Sequence, residues 1–218
     1  DGGYLVNGSK IWTSGAHMAD YLVALFRTSG TAEDRHDGLT QFIVDLKNIN
    51  GIDIRPIHNM TGDHDFNQIF FEDAFVPDTM RVGNEGDGWM QVTTELAFER
   101  SGPERYLSSF PLVKNSVGQA GQDPSERQAI GLGRMLARAA TYREMSLSVS
   151  GMLEAGENPD LEAAVMKELG VGYEQKIPGI AHDLFGISPR LDDGSDFETT
   201  FAYLTQANVS FSLRGGTR

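Results

Sequence analysis

TTELAFERSGPERYL, residues 93–107, stands where a strand-rich first part of the chain gives way to a helix-rich remainder. Its first half has helical character, and Glu99 followed by Arg100 lies at its middle. Leu96, Ala97 and Phe98 precede the pair, and Tyr106 and Leu107 follow it. A carboxylate in partly apolar surroundings has its charged form disfavoured, which moves it toward the working range of a general base. The same letters also describe a surface Glu beside a surface Arg on an ordinary helix, and these residues alone do not separate the two.

Working outward, the residues before this stretch form short apolar runs punctuated by turns. Residues 4–13, YLVNGSKIWT, read as two strands joined at Asn7-Gly8, a pair that tolerates the positive φ of a hairpin turn. Strands are expected at 21–27, 41–46, 52–57 and 67–72, with residues 28–38 as loop and Val76-Pro77 as a stop. This spacing predicts a small antiparallel barrel or sandwich.

The period changes after Gly83. A helix is expected from Trp89 to about Leu112, kinked at Gly102-Pro103 or else interrupted there by a loop, with Asp87 as its cap. Asp123-Pro124-Ser125-Glu126 opens a second helix, with Asp123 as N-cap, running to about Leu153. A third covers 160–185 behind Asn158-Pro159, and a last one covers 198–213 before Arg214-Gly215-Gly216-Thr217. Four helices on short loops predict a bundle. The fold class is therefore α+β: an antiparallel β-barrel domain at 1–82, then a four-helix bundle at 83–218.

Composition narrows the function. The chain of 218 residues carries 18 Lys and Arg against 31 Asp and Glu, a net charge of -13. That argues against nucleic acid as a partner, because phosphate binding needs clustered cations. No apolar run approaches the ~20 residues of a membrane span. Cysteine is absent, which excludes disulfides and thiolate catalysis and fits an intracellular, cytoplasmic setting. The five His are scattered and form no recognisable metal pair, so no metal site is expected. The abrupt termini, Asp1-Gly2-Gly3 and Arg218, suggest a piece of a longer protein.

Lys10-Ile11-Trp12-Thr13-Ser14-Gly15 is the second stretch with chemical content. An indole face beside two hydroxyls suits a planar heteroaromatic ligand such as a flavin. A core tryptophan with Thr and Ser completing a turn would leave the same letters. Gly215-Gly216-Thr217 either approaches a phosphate or caps a helix. Gly131 and Gly133 lie inside a helical pattern with no strand before them, so they are not a dinucleotide loop.

Four pieces together resemble the acyl-CoA dehydrogenase family: NGSKIWTSGAHMADY at 7–21, FNQIFFEDAFVPDTMRVGNEGDGW at 66–89, LAFERSGPER at 96–105 and LRGGTR at 213–218. The resemblance implies a middle β-barrel domain and a C-terminal four-helix bundle, with the family's N-terminal helical domain absent. It implies FAD as cofactor, with Trp12 (or Ile11) stacking on the flavin and Thr13 and Ser14 near its reactive edge. It adds Thr217 to the cofactor-binding set. It implies acyl-CoA as substrate and an electron-transfer flavoprotein as acceptor, in a homo- or hetero-oligomer.

In many members of the family the base is a Glu directly before Gly-Thr near the C-terminus, where this chain has Gly215. A subset carries it in the first bundle helix just before an Arg, the place of Glu99-Arg100. The resemblance therefore implies Glu99 as the base that removes the α-proton, with Arg100 positioning or polarising its surroundings. Two family features are missing or weak: the Arg-x-x-Phe-Gly stretch, replaced by VKNSVGQAGQDPSER, and the Gln-x-x-Gly-Gly segment, where Asp183-Leu184-Phe185-Gly186-Ile187 stands. Both a complete dehydrogenase and a non-catalytic or half-site subunit of a heteromer stay open.

Overall fold

Alternation builds the first part of the chain. In β3 (Leu39–Asp45) Phe42 and Val44 are buried while Ile43 between them faces outward, the two-residue period of a half-covered sheet. The computed structural model describes residues 2–214 and residue 216. It divides into two compact units, residues 1–94 and 95–218.

In the first unit β1 (Gly3–Ser14), β5 (Phe66–Pro77) and β4 (Ile52–Ile57) form one antiparallel sheet in the order β1-β5-β4. β2 (Tyr21–Arg27), β3 and the short β6 (Arg81–Val82) form the other, in the order β2-β3-β6. Phe42, Val44, Ile69, Phe71, Ala74 and Val76 fill the core they share. Tyr4 meets Phe42 edge-on at 5.0 Å, and Phe26 meets Phe71 at 5.3 Å. Lys10 joins the two sheets, its ammonium donating to the Leu25 carbonyl and lying over the Phe26 ring. Burial pushes that ammonium below its ordinary value.

Asn7-Gly8 is not a hairpin. β1 is one continuous strand of 12 residues whose partner is β5. The ladder slips between Val6 and Gly8, where Glu72 and Asp73 of β5 stand opposite Asn7 alone. Asn7 then serves as a stitch: its Nδ2 donates to Asp73 Oδ1 and its Oδ1 accepts from Asp73 N, both at 2.9 Å. The left-handed residue of this bulge is Asp73 on β5, φ 49°, and the long ladder rules out the turn.

The helix expected across residues 89–112 is broken rather than kinked. α1 (Gly88–Ser101) stops at Gly102, whose ψ of 156° is extended, as the residue before a proline prefers. Pro103–Arg105 make a 3-10 turn, and α2 (Phe110–Ala120) starts afresh. α1 begins against β2 and β3: a Cβ on Gly88 would sit 2.5 Å from the Leu25 side chain.

The second unit is a bundle of α2, α3 (Glu126–Glu154), α4 (Asp160–Phe185) and α5 (Asp196–Ala207), continued by a 3-10 stretch Asn208–Leu213. Leu112, Met135, Met166, Ile177 and Phe201 are among its core residues. The cap of α3 is Ser125, not Asp123. Ser125 Oγ accepts from Gln128 N, and Gln128 Oε1 accepts from Ser125 N, a reciprocal box that satisfies two otherwise unpaired donors. Ser195 and Glu198 repeat the arrangement at α5. Pro159 precedes α4 without a side-chain cap, and Asn158 instead reaches Asp160 Oδ2. Among the described residues no helix is long and apolar enough to cross a membrane.

Candidate active site

Two groups of residues, one in each unit, carry chemistry. The first lies at the end of β1. The β1–β5 ladder slips again between Lys10 and Thr13, so Ile11 and Trp12 stand opposite the single residue Gln68. Trp12 takes a left-handed backbone, φ 61°, and the residue is 62% exposed. A left-handed L-residue costs about 1–2 kcal/mol, and such strain persists only where surrounding structure fixes it, commonly at ligand sites. Here the bulge aims an indole outward, braced edge-on by Phe66 at 6.0 Å. Thr13 and Ser14 follow, and neither hydroxyl makes a hydrogen bond among the described residues.

Behind this loop the structure assembles side chains that the sequence shows as scattered. Asn67, fully buried, donates from Nδ2 to the Thr13 carbonyl at 3.0 Å. The same amide lies 3.2 Å from His17 Nδ1, and Asn67 Oδ1 lies 2.8 Å from His64 Nε2. The two imidazoles stack at 3.8 Å. Gly15 N donates to the Asp65 carbonyl at 2.8 Å. The bulged end of β1 at Trp12–Ser14 is therefore braced by the Asn67 hydrogen bond, while Trp12 and Ser14 stay exposed.

The second group surrounds Glu99. Its carboxylate is not a bare surface group: Oε1 accepts from Arg105 Nη2 at 2.6 Å, and Arg105 Nε also donates to the Glu99 backbone carbonyl at 3.1 Å. The Arg105 side chain is 3% exposed and that of Glu99 is 50% exposed. Oε2 of Glu99 makes no hydrogen bond among the described residues.

Deeper, Glu174 on α4 is fully buried. It pairs with Arg214 Nη2 at 2.8 Å and accepts from Ser109 N at 3.0 Å. Burial raises the Glu174 carboxyl above its ordinary value, with Arg214 and the backbone N–H groups pulling the other way. Burial likewise lowers Arg214, against the pull of Glu174. Arg214 also donates to Ser108 Oγ at 2.8 Å and lies 3.9 Å over the Phe211 ring. Seven residues earlier on the same helix, the buried Lys167 donates to the carbonyls of Ser212 and Gly216. α4 thus grips the segment after α5 at two points. A Cβ on Gly216 would sit 3.8 Å from Arg100 Nη2, so that segment comes to the residue next to Glu99.

The model of the acyl-CoA dehydrogenase middle domain matches residues 1–74. Over the whole chain the protein is 34% identical to acyl-CoA dehydrogenase FadE34 of Mycobacterium tuberculosis, spanning 30% of that protein. With acyl-CoA dehydrogenase FadE29 of the same organism it is 32% identical over 98% of this chain and 57% of the relative. The chain belongs to the acyl-CoA dehydrogenase family. The fold agrees with a glutaryl-coenzyme A dehydrogenase in its glutaryl-CoA complex, TM-score 0.81 at 18% identity over 99% of this chain and 56% of that one. It agrees also with a chain of the ChsE4-ChsE5 complex of Mycobacterium tuberculosis, TM-score 0.78 at 24% identity, over 99% and 58%. The chain therefore spans between about a third and three fifths of these relatives.

Within this acyl-CoA dehydrogenase fold, the expected site residues fall in both units. Trp12, Thr13 and Ser14 form one surface, and Glu99 and Arg100 belong to the second group. Gly215 and Thr217 lie outside the described residues. Arg105, Lys167, Glu174 and Arg214 were missed by sequence reasoning. One signal was available: Lys167 and Glu174 are charged residues seven apart on the stripe of α4 that carries Met166, Val171 and Ile177, where a core-facing helix should be apolar.

Proposed function

We propose that this chain supplies the base, and part of the flavin site, of an FAD-dependent acyl-CoA dehydrogenase. Residues 1–82 serve as its middle domain and residues 83–218 as its helical part. The observation that carries the reading is the state of Glu99: one carboxylate oxygen held by a buried guanidinium, the other open on a half-exposed side chain. That is how a base must stand if it is to take a proton from a bound substrate without turning away. In this reading Glu99 Oε2 removes the α-proton of an acyl-CoA thioester. Arg100 is next to it in the chain and, through the neighbourhood of Gly216, borders the same space.

The flavin fits the first group. The outward indole of Trp12 offers a face for a planar ring, and the unengaged hydroxyls of Thr13 and Ser14 offer hydrogen bonds to its polar edge. Bound FAD would supply a hydride acceptor for the β-carbon. The chain's own contribution is to stack, to hydrogen-bond and to hold the loop rigid through Asn67. Thr217 completes the cofactor set in this proposal, and an electron-transfer flavoprotein takes the electrons onward.

The deciding experiment is Glu99→Gln in the full-length protein. The variant should keep its yellow colour, while flavin reduction by acyl-CoA falls about 10²- to 10⁴-fold, the scale for losing a positioned base. Reduction at the wild-type rate would show that the base lies elsewhere.

A second reading is a half-site subunit of a heteromer. It is favoured by the likeness to a chain from a two-protein complex and by the missing Arg-x-x-Phe-Gly stretch. A flavin spectrum that appears only after a partner chain is added would select it over a homo-oligomer.

A further inference from the structure

We infer that Arg105 is the positioning residue of the Glu99 site, a clamp that fixes the carboxylate and leaves one oxygen for the substrate. The inference rests on the reading of Glu99 as the base. It starts from chain geometry. Residues six apart in a continuous helix lie about 9 Å apart along the axis and about a third of a turn apart around it, so their side chains do not meet. Arg105 reaches Glu99 only because α1 ends at Ser101, Gly102 is extended and Pro103–Arg105 turn back as a 3-10 segment. The Gly-Pro break is thus what makes the contact.

The clamp has two arms on one residue. Nη2 holds Oε1 at 2.6 Å, and Nε holds the backbone carbonyl of Glu99 at 3.1 Å. A planar guanidinium bound to both the main chain and the side chain of the same residue restricts the χ angles between them, which a flexible ammonium cannot do. The clamp is itself fixed. Its side chain is 3% exposed, and Glu104 Oε1 lies 3.7 Å from Nε. On the other side α4 presses against its backbone: a Cβ on Gly170 would sit 2.4 Å from the Arg105 carbonyl. Nη1 is buried with no hydrogen-bond partner among the described residues. A guanidinium kept buried with its Nη1 unpaired is held there by its other contacts, of which the two to Glu99 are the closest.

The test uses the full-length flavoprotein and four forms: wild type, Glu99→Gln, Arg105→Lys and the double variant. The probe is the member of a straight- and branched-chain acyl-CoA panel that reduces the wild-type flavin fastest. Arg105→Lys keeps the charge and most of the length, so it should fold. It should reduce flavin about 10- to 100-fold more slowly at saturating acyl-CoA, the effect of misplacing a reacting group. Its Kd for the matching 2-enoyl-CoA, by calorimetry, should change less than about 3-fold. In the Glu99→Gln background the same Lys substitution should change the residual rate less than about 2-fold, because the group it positions is gone. Urea unfolding should show the same coupling without any substrate: Arg105→Lys lowers the midpoint more in the wild-type background than in the Glu99→Gln background.

Wild-type reduction by Arg105→Lys beside a slow Glu99→Gln would overturn the clamp and leave the base standing. Equal losses in the two backgrounds would show a merely structural arginine and overturn it as well. Wild-type reduction by Glu99→Gln would overturn both.

Discussion

Replacing Arg214 with Leu removes the cation that, among the described residues, pairs with a carboxylate shut off from water. The cost can be bounded from two directions. Deleting one partner of a buried ion pair typically costs about 3–5 kcal/mol. The folded chain has an escape, however: it can protonate Glu174. At pH 7 protonating a carboxyl from an ordinary value near 4.3 costs at most about 3.7 kcal/mol. Part of that is already spent in the wild type, since burial raises Glu174 even with Arg214 in place. Ser109 N remains as a donor, and the Arg214 side chain is 29% exposed, so a leucine there loses less than a fully buried cation would. The expected loss is about 2–3 kcal/mol at pH 7.

The pH dependence follows with a definite sign. A carboxyl raised on folding holds a proton that the unfolded chain has released, so its contribution to stability falls as pH rises through the window above the ordinary value. Without Arg214 the folded carboxyl rises further, and the variant falls more steeply. The gap between variant and wild type should shrink to about 1 kcal/mol at pH 5, where protonation is nearly free. Urea titrations followed by circular dichroism at 222 nm read the helical unit, because both tryptophans, Trp12 and Trp89, lie in the other one. A gap that stays the same between pH 5 and pH 7, or that never exceeds about 0.5 kcal/mol, would refute the account of Glu174 as a charge held by Arg214.

Gly170→Ala should destabilise the helical unit by about 1–3 kcal/mol, because its Cβ would meet the Arg105 carbonyl at 2.4 Å; an unchanged urea midpoint would mean that α4 and the Pro103–Arg105 turn are not in close contact. Trp12→Gly should leave the β unit as stable or up to about 1 kcal/mol more stable, since glycine adopts φ 61° without strain. The same variant should hold FAD at least about 10-fold more weakly by fluorescence titration, and unaltered FAD affinity would remove Trp12 from the flavin site.

Much of the fold was legible because its signals are local. β2, β4 and α4 have the bounds that turn residues and hydrophobic period predict. Where the prediction failed, two local solutions competed and a distant partner chose. Asn7-Gly8 reads locally as a hairpin turn, and β5, some 60 residues later, supplied the ladder that kept β1 in one strand. Asp123 and Ser125 each have an acceptor three residues on, and the helix started at the second. At Gly102-Pro103 the letters require a disruption, but its size depends on what Arg105 finds when the chain turns.

The site was legible only at its tip, and the reason is physical. Glu99, the proposed base, was picked out by the family resemblance, because a carboxylate among apolar letters does not by itself separate a base from a surface group. Arg105 holds it through the turn after Gly102, while Lys167, Glu174 and Arg214 meet one another's segments only when the bundle closes. A buried charge is nonetheless conspicuous, because a core-facing helix stripe has no use for one unless a partner arrives. Lys167 and Glu174 are such charges, and both partners arrive from the same segment after α5. The same segment brings Gly216 to Arg100. α4 therefore acts as a ruler for the site: its ionic grips set where the segment after α5 lies, and its Gly170 sets how closely the Arg105 turn can pack. If that reasoning holds, Lys167→Met and Arg214→Leu should each slow flavin reduction in the full-length protein although neither residue touches Glu99. Gly170→Ala should do so through the Arg105 clamp, and Glu99→Gln should mask the effect of all three.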